Sequence, residues 1–143
     1  MTQPILAAVD LSHPKDNAGV LKEAERLAAF HGTLLVVVTV LPDFRSSFVG
    51  SFFPEDHMHK MTDEARTKLH AFVNETLGHD KDVQHVVRVG TVYEEILATA
   101  RDMDVATIVV GAHRRELPQY LIGPHAARVA RHATCSVYIY RDD

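Results

Sequence analysis

The sequence alternates short, nearly unbroken β-branched runs with longer stretches whose apolar residues recur every three or four positions, and no other feature restricts the fold as strongly. The runs are Ile5 to Val9, Thr33 to Val40, Val83 to Val89, Val105 to Val110 and Ser136 to Tyr140. Continuous hydrophobicity marks strands covered on both faces, as in parallel sheets flanked by helices. Between the first two runs, Ala18, Leu21, Ala24 and Ala28 fall at helical spacing, with Pro14 suited to a first turn and Gly32 to a left-handed helix end. Met58, Met61, Ala65, Leu69, Phe72 and Val73 form a second stripe, closed by Gly78. Val92, Ile96, Leu97 and Ala100 form a third, opened by Thr91-Val92-Tyr93-Glu94 in the pattern of a capping box. A fourth helix, about Pro124 to His132, carries the small residues Ala126, Ala127, Val129 and Ala130. The pattern predicts an α/β fold: a five-stranded open parallel sheet, doubly wound by right-handed crossovers, with ligands received outside the carboxyl ends of the strands.

A chain of 143 residues can bury one sizeable core, so residues 1–143 are read as a single domain. The net charge is −4 and Lys and Arg are interspersed with Asp and Glu, which excludes the basic footprint of a nucleic-acid binder. The longest apolar run, Leu34 to Val38, is far too short for a bilayer span, and the opening residues lack a basic segment before the first apolar run. The expectation is a cytoplasmic protein with no membrane partner. The lone Cys135 rules out an intramolecular disulfide and suits a reducing compartment.

Chemistry is expected at two strand ends. Val9-Asp10-Leu11-Ser12 sets a carboxylate and a hydroxyl at the mouth of the sheet, where they can accept from a ligand or cap the next helix. Val109-Val110-Gly111 leads into a polar loop with His113, Arg114 and Arg115, and Gly123 opens a helix. Glycines permit close approach of backbone to a phosphate, a helix N-terminus favours anions, and arginine adds charge-assisted bonds. The ten histidines yield no metal ligand set: in His57-Met58-His59 the two imidazoles would point to different sides of a helix, with no Cys or carboxylate to complete the set. No catalytic set is identifiable. Neither Gly-x-x-x-x-Gly-Lys-Ser/Thr nor Gly-x-Gly-x-x-Gly occurs. The third strand ends Arg88-Val89-Gly90 without the acidic residue that a phospho-receiver domain requires.

Three segments, Pro4-Ile-Leu-Ala-Ala-Val-Asp10-Leu-Ser12, Val89-Gly-Thr-Val-Tyr-Glu-Glu-Ile96, and Val109-Val-Gly-Ala-His-Arg114 with Gly123-Pro-His-Ala-Ala-Arg-Val-Ala-Arg-His-Ala133, resemble universal stress proteins, and the resemblance runs the whole length of the chain. It implies a Rossmann-like fold of strand order 3-2-1-4-5, an adenine-nucleotide cleft between the first and fourth strands, and a homodimer formed through the last strand, Val137, Tyr138, Ile139 and Tyr140. Asp10 matches the acidic residue at the adenosine, with Leu11 and Ser12 beside it, and Val40 matches a backbone contact. Gly111 and Gly123 match the outer glycines of the phosphate loop, which also includes His113 and Arg114 and, at the helix start, Pro124, His125 and Ala126. The loop departs from the usual pattern: Arg114 replaces the middle glycine, eight residues rather than nine precede Gly123, and Pro124 replaces a hydroxyl residue and lacks an N–H. The implied cofactor is an adenine nucleotide, ATP or AMP, with or without Mg²⁺, in a stress-response or regulatory module. A homodimeric interaction protein with a degenerate pocket and a slow ATPase or phosphotransferase are the alternatives.

Overall fold

The computed structural model describes residues 3–43, 57–112 and 122–141. In chain order these form β1 (Ile5–Ala8), α1 (Pro14–His31), β2 (Leu35–Leu41), α2 (His57–Leu77), β3 (Val83–Val89), α3 (Val92–Asp102), β4 (Thr107–Gly111), α4 (Pro124–His132) and β5 (Ser136–Tyr140). The strands make one parallel sheet in the order β3-β2-β1-β4-β5. The chain winds outward from β1 to β3, then crosses back to β4. The topological switch point therefore lies between β1 and β4.

Why the apolar runs are continuous follows from which way successive side chains point. Ile5, Ala7, Val9, Leu35, Val37 and Val109 pack on one face with Val20, Leu21 and Ala24 of α1 and Leu69, Phe72 and Val73 of α2. Leu6, Ala8, Val36, Val38, Ile108 and Val110 pack on the other with Ile96, Leu97 and Ala100 of α3 and Ala126 and Val129 of α4. With both faces covered, successive positions of the central strands are apolar, with Thr39 of β2 buried among them. Close packing also explains a glycine in the middle of α1, where a helix would ordinarily gain from alanine. A Cβ at Gly19 would stand 2.5 Å from Cε2 of Tyr140, so the glycine admits the ring of β5.

Two strands begin later than their apolar runs. Helix α1 ends at Gly32, in the left-handed conformation, and the Thr33 N–H donates to the Ala28 carbonyl (2.9 Å). Helix α3 ends the same way with Asp104 at φ 50°, and the Val105 N–H donates to the Ala100 carbonyl (3.1 Å). Both residues satisfy helix carbonyls before the sheet can claim them. The expected capping box at α3 does not form. Thr91 is the N-cap residue but its side chain makes no capping bond, and Glu94 lies instead against the Tyr93 hydroxyl (3.4 Å). Glu95, one residue on, holds Arg88 of β3 (3.1 Å).

Among the described residues, no helix is long and apolar enough to cross a membrane.

Candidate functional site

The carboxyl ends of β2, β1 and β4 are adjacent, and their register sets the positions of the expected residues. Ala8 pairs with Val38 and Ala7 with Val109, so Val40 and Asp10 come level two residues on, and Gly111 comes level with Val9. Gly111 itself pairs with Tyr140.

Asp10 is exposed at this mouth. Its Oδ1 accepts the Ser12 N–H (2.9 Å), an Asx turn formed before the helix begins. The N-cap of α1 is His13, and no side chain caps it, so neither Asp10 nor Ser12 serves as the cap. The other carboxylate oxygen of Asp10 has no bonded partner among the described residues and is available to a ligand hydroxyl. Leu11 is half-buried against the α1–α2 core and offers the site only its backbone. Val40 is half-buried on the opposite face of the sheet.

Asn17, which no motif singles out, shapes this turn. Its Oδ1 accepts the Asp10 N–H (3.1 Å), and its Nδ2 donates to the carbonyls of Asp10 (3.2 Å) and His13 (2.8 Å). One amide from the first turns of α1 thus fixes the backbone that presents the Asp10 carboxylate.

On the β4 side, the Ala112 N–H donates to the Tyr140 carbonyl (2.8 Å), and the Gly123 N–H donates to the Ala112 carbonyl (2.6 Å). That second bond joins the two ends of the segment between β4 and α4. It brings Gly111 and Gly123 together and sets the α4 N-terminus over the end of β4, beside the β1 mouth. Gly123 is the N-cap residue, at φ −60° and ψ 157°, and Pro124 is the first helical residue. The first intrahelical bond runs from the Ala127 N–H to the Gly123 carbonyl (3.0 Å). The Ala126 N–H, one residue earlier, therefore has no carbonyl within the helix to accept it. His125 is exposed. His113, Arg114 and Arg115 lie outside the described residues.

The thiol of Cys135 sits half-buried against the α3–α4 core, and burial pushes its pKa up, which keeps it a neutral packing group.

An open, doubly wound parallel sheet of order β3-β2-β1-β4-β5, with its switch point between β1 and β4, defines a Rossmann-like α/β protein. The chain belongs to the universal stress protein family, whose sequence profile matches residues 1–141. It is 26% identical over 146 residues to universal stress protein G of Salmonella typhimurium, covering 99% of this chain and all of that protein. Among solved structures it is similar to the universal stress protein of Archaeoglobus fulgidus in complex with dAMP, at 23% identity and a TM-score of 0.68 over 96% of both chains. It is similar also to a universal stress protein in complex with cAMP, at 20% identity and a TM-score of 0.68, again over 96% of both chains. At these identities the two structures establish a common fold.

Proposed function

We propose that the chain binds an adenine nucleotide in the cleft between β1 and β4 and acts as a homodimeric stress-response or regulatory module in the cytoplasm. The observation that carries this reading is the 2.6 Å bond from the Gly123 N–H to the Ala112 carbonyl, which brings two glycines and a helix N-terminus to the carboxyl end of β4, the strand that pairs with β1. In this reading Asp10 accepts from a ribose hydroxyl, with Ser12 and the Leu11 backbone alongside, and Val40 borders the base through its backbone. Gly111 and Gly123 let the phosphates approach, the Ala126 N–H and the dipole of α4 meet them, and His113, Arg114 and His125 supply positive charge or donors. Relatives solved with dAMP and cAMP support the choice of ligand. The assay distinguishes ATP from AMP by mass. Mass spectrometry of the small molecules released on denaturing freshly purified protein should find an adenine nucleotide at close to one per chain; protein that carries none, and takes up none when ATP is added, would refute the reading.

One observation favours the second reading, a dimeric interaction protein with a degenerate pocket. Pro124 has no N–H, and the Gly123 N–H is engaged by Ala112, so two backbone donors at the loop's end are unavailable to a phosphate.

The dimer is proposed along β5, an edge strand. The Ser136 N–H donates to the Ala106 carbonyl, and the Tyr140 carbonyl accepts from Ala112, so the even-numbered residues turn their backbone toward β4. In a parallel ladder the intervening residues then face outward. Val137 and Ile139 present their N–H and C=O groups to a partner strand. Ile139→Pro removes one outward donor and none of the bonds to β4. Light scattering should give a dimer mass for the wild type and a monomer mass for Ile139→Pro with its circular dichroism retained; a monomeric wild type at tens of micromolar, roughly where specific contacts persist, would exclude this interface.

A further inference from the structure

We propose that His70, Asp80 and His85 form a binding site for a divalent transition metal of zinc-like chemistry, clipping α2 to the edge strand β3. The site lies on the α2 side of the sheet near the start of β3, away from the cleft at the strands' carboxyl ends. His70 projects from α2, Asp80 lies in the turn that follows it, and His85 is the third residue of β3. One ligand atom from each can be chosen so that all lie within 4.8 Å of one another. His85 shares its parity with Val83 and Val87, which pack on the α1–α2 core, so its ring occupies a position where the pattern would place another apolar residue. Its Nε2 is buried and has no hydrogen-bond partner. A ring nitrogen in that state carries an energetic cost that a Lewis acid would remove. Burial, with the neighbouring His70 ring second, lowers the pKa of His85 and so favours the neutral imidazole that a metal requires.

The other two groups are already joined. His70 Nδ1 and Asp80 Oδ2 are 3.0 Å apart, and the His70 bond holds the Asp80 carboxyl below its ordinary pKa. Two imidazoles and one carboxylate, with a water in the fourth position, suit Zn²⁺, Co²⁺ or Ni²⁺ and offer too few oxygens for Ca²⁺ or Mg²⁺. The rings of His70 and His85 are stacked at 3.6 Å and 20°. Stacked rings hold their nitrogens side by side, so binding requires one ring to turn until its nitrogen converges on the shared point. The side chain of His70 is 45% exposed and free of the core, so it is the one that turns. A tetrahedral zinc with bonds of about 2.0–2.2 Å sets its ligand atoms roughly 3.3–3.6 Å apart, inside the separation these atoms already have at most. Coordination by Asp80 replaces the His70–Asp80 hydrogen bond.

The test is titration of the full chain with Co²⁺, followed by visible absorption, and with Zn²⁺, followed by calorimetry. The wild type should bind one ion per chain with the spectrum of a four-coordinate nitrogen–oxygen site, and the ion should raise the thermal midpoint. His85→Ala and His70→Ala should each weaken binding on the order of a hundredfold, the scale at which even groups behind a metal ligand act. His70 is half-exposed, so His70→Ala remains informative should His85→Ala fold poorly. His59→Ala, at an exposed position in the first turn of α2, should bind as the wild type does. No stoichiometric binding by the wild type would overturn the proposal, as would full affinity in His70→Ala or a loss confined to His59→Ala, which would place the ion on the start of α2.

Discussion

Gly123→Val should weaken ATP binding by at least a hundredfold while leaving adenosine binding within a fewfold of the wild type. The backbone at Gly123, φ −60° and ψ 157°, is open to any residue, and the bond from its N–H to Ala112 does not depend on a side chain. Nothing in the local conformation demands glycine there. In the proposed site, a side chain here would take space that a phosphate needs in order to come within hydrogen-bonding distance of the α4 N-terminus. Arg114→Ala tests the complementary half of the site. With Pro124 and Gly123 supplying no free N–H, side-chain charge must carry more of the phosphate, and a charge-assisted hydrogen bond contributes roughly 1.5–3 kcal/mol. Loss of about tenfold or more in ATP affinity follows, larger for ATP than for AMP and shrinking as salt rises. Calorimetric titration of all three proteins with adenosine, AMP and ATP separates these effects. Equal ATP affinity in Arg114→Ala would mean the loop works through its backbone, and a wild type that binds none of the three ligands would leave the degenerate-pocket reading in first place.

The fold was legible because its sheet is covered on both sides. Buried faces on either side of Leu6, Val36 and Ile108, and of Ala7, Val37 and Val109, force apolar residues into consecutive positions, and that density separates parallel strands from the helical stripes between them. Boundaries were less legible. Thr33 and Val105 belong to apolar runs, yet their N–H groups close helices α1 and α3, an allocation decided by the left-handed residues before them. Gly32 announces that conformation; Asp104 does not. The capping box does not form either: its fourth residue, Glu94, is exposed and lies against the Tyr93 hydroxyl, while its neighbour Glu95 holds Arg88 of β3.

Within the site, residue types told more than their partners did. Asp10, Gly111 and Gly123 could be placed at strand and helix ends from the pattern alone, because topology brings those ends together. The clamp by Asn17 could not, since it depends on how α1 returns over the end of β1. The same limit hid His70, Asp80 and His85. They come from a helix, a turn and a strand, and only the packing of α2 on β3 makes neighbours of them. Among ten histidines, sequence proximity drew attention to His57 and His59 instead.

Ile108→Ala should be among the most destabilising single substitutions in the chain. Ile108 is fully buried in β4, paired with Leu6 on one side and Val137 on the other, and its side chain faces the α3–α4 core. Removing three carbons there loses their transfer free energy and leaves a cavity that a sheet held by two neighbours cannot collapse to fill, a cost of about 2–5 kcal/mol. Against a total stability on the order of 5–15 kcal/mol, the thermal midpoint should fall by roughly 6–20 °C for a chain of this length. Ile108→Val, which keeps the branched Cβ, should cost only about 0.5–1.5 kcal/mol. Urea denaturation of the three proteins gives the comparison, and a loss below about 1 kcal/mol in Ile108→Ala would contradict the placement of this residue in the core. Because Ile108 lies in the body of β4, three residues before Gly111 and outside the residues assigned to the cleft, ATP should still raise the midpoint of the destabilised protein. The stabilisation by a ligand depends on its concentration relative to its dissociation constant, and not on how stable the free protein is. Stability lost without affinity in Ile108→Ala, beside affinity lost without comparable stability in Gly123→Val, would separate the sheet that builds the cleft from the loop that fills it.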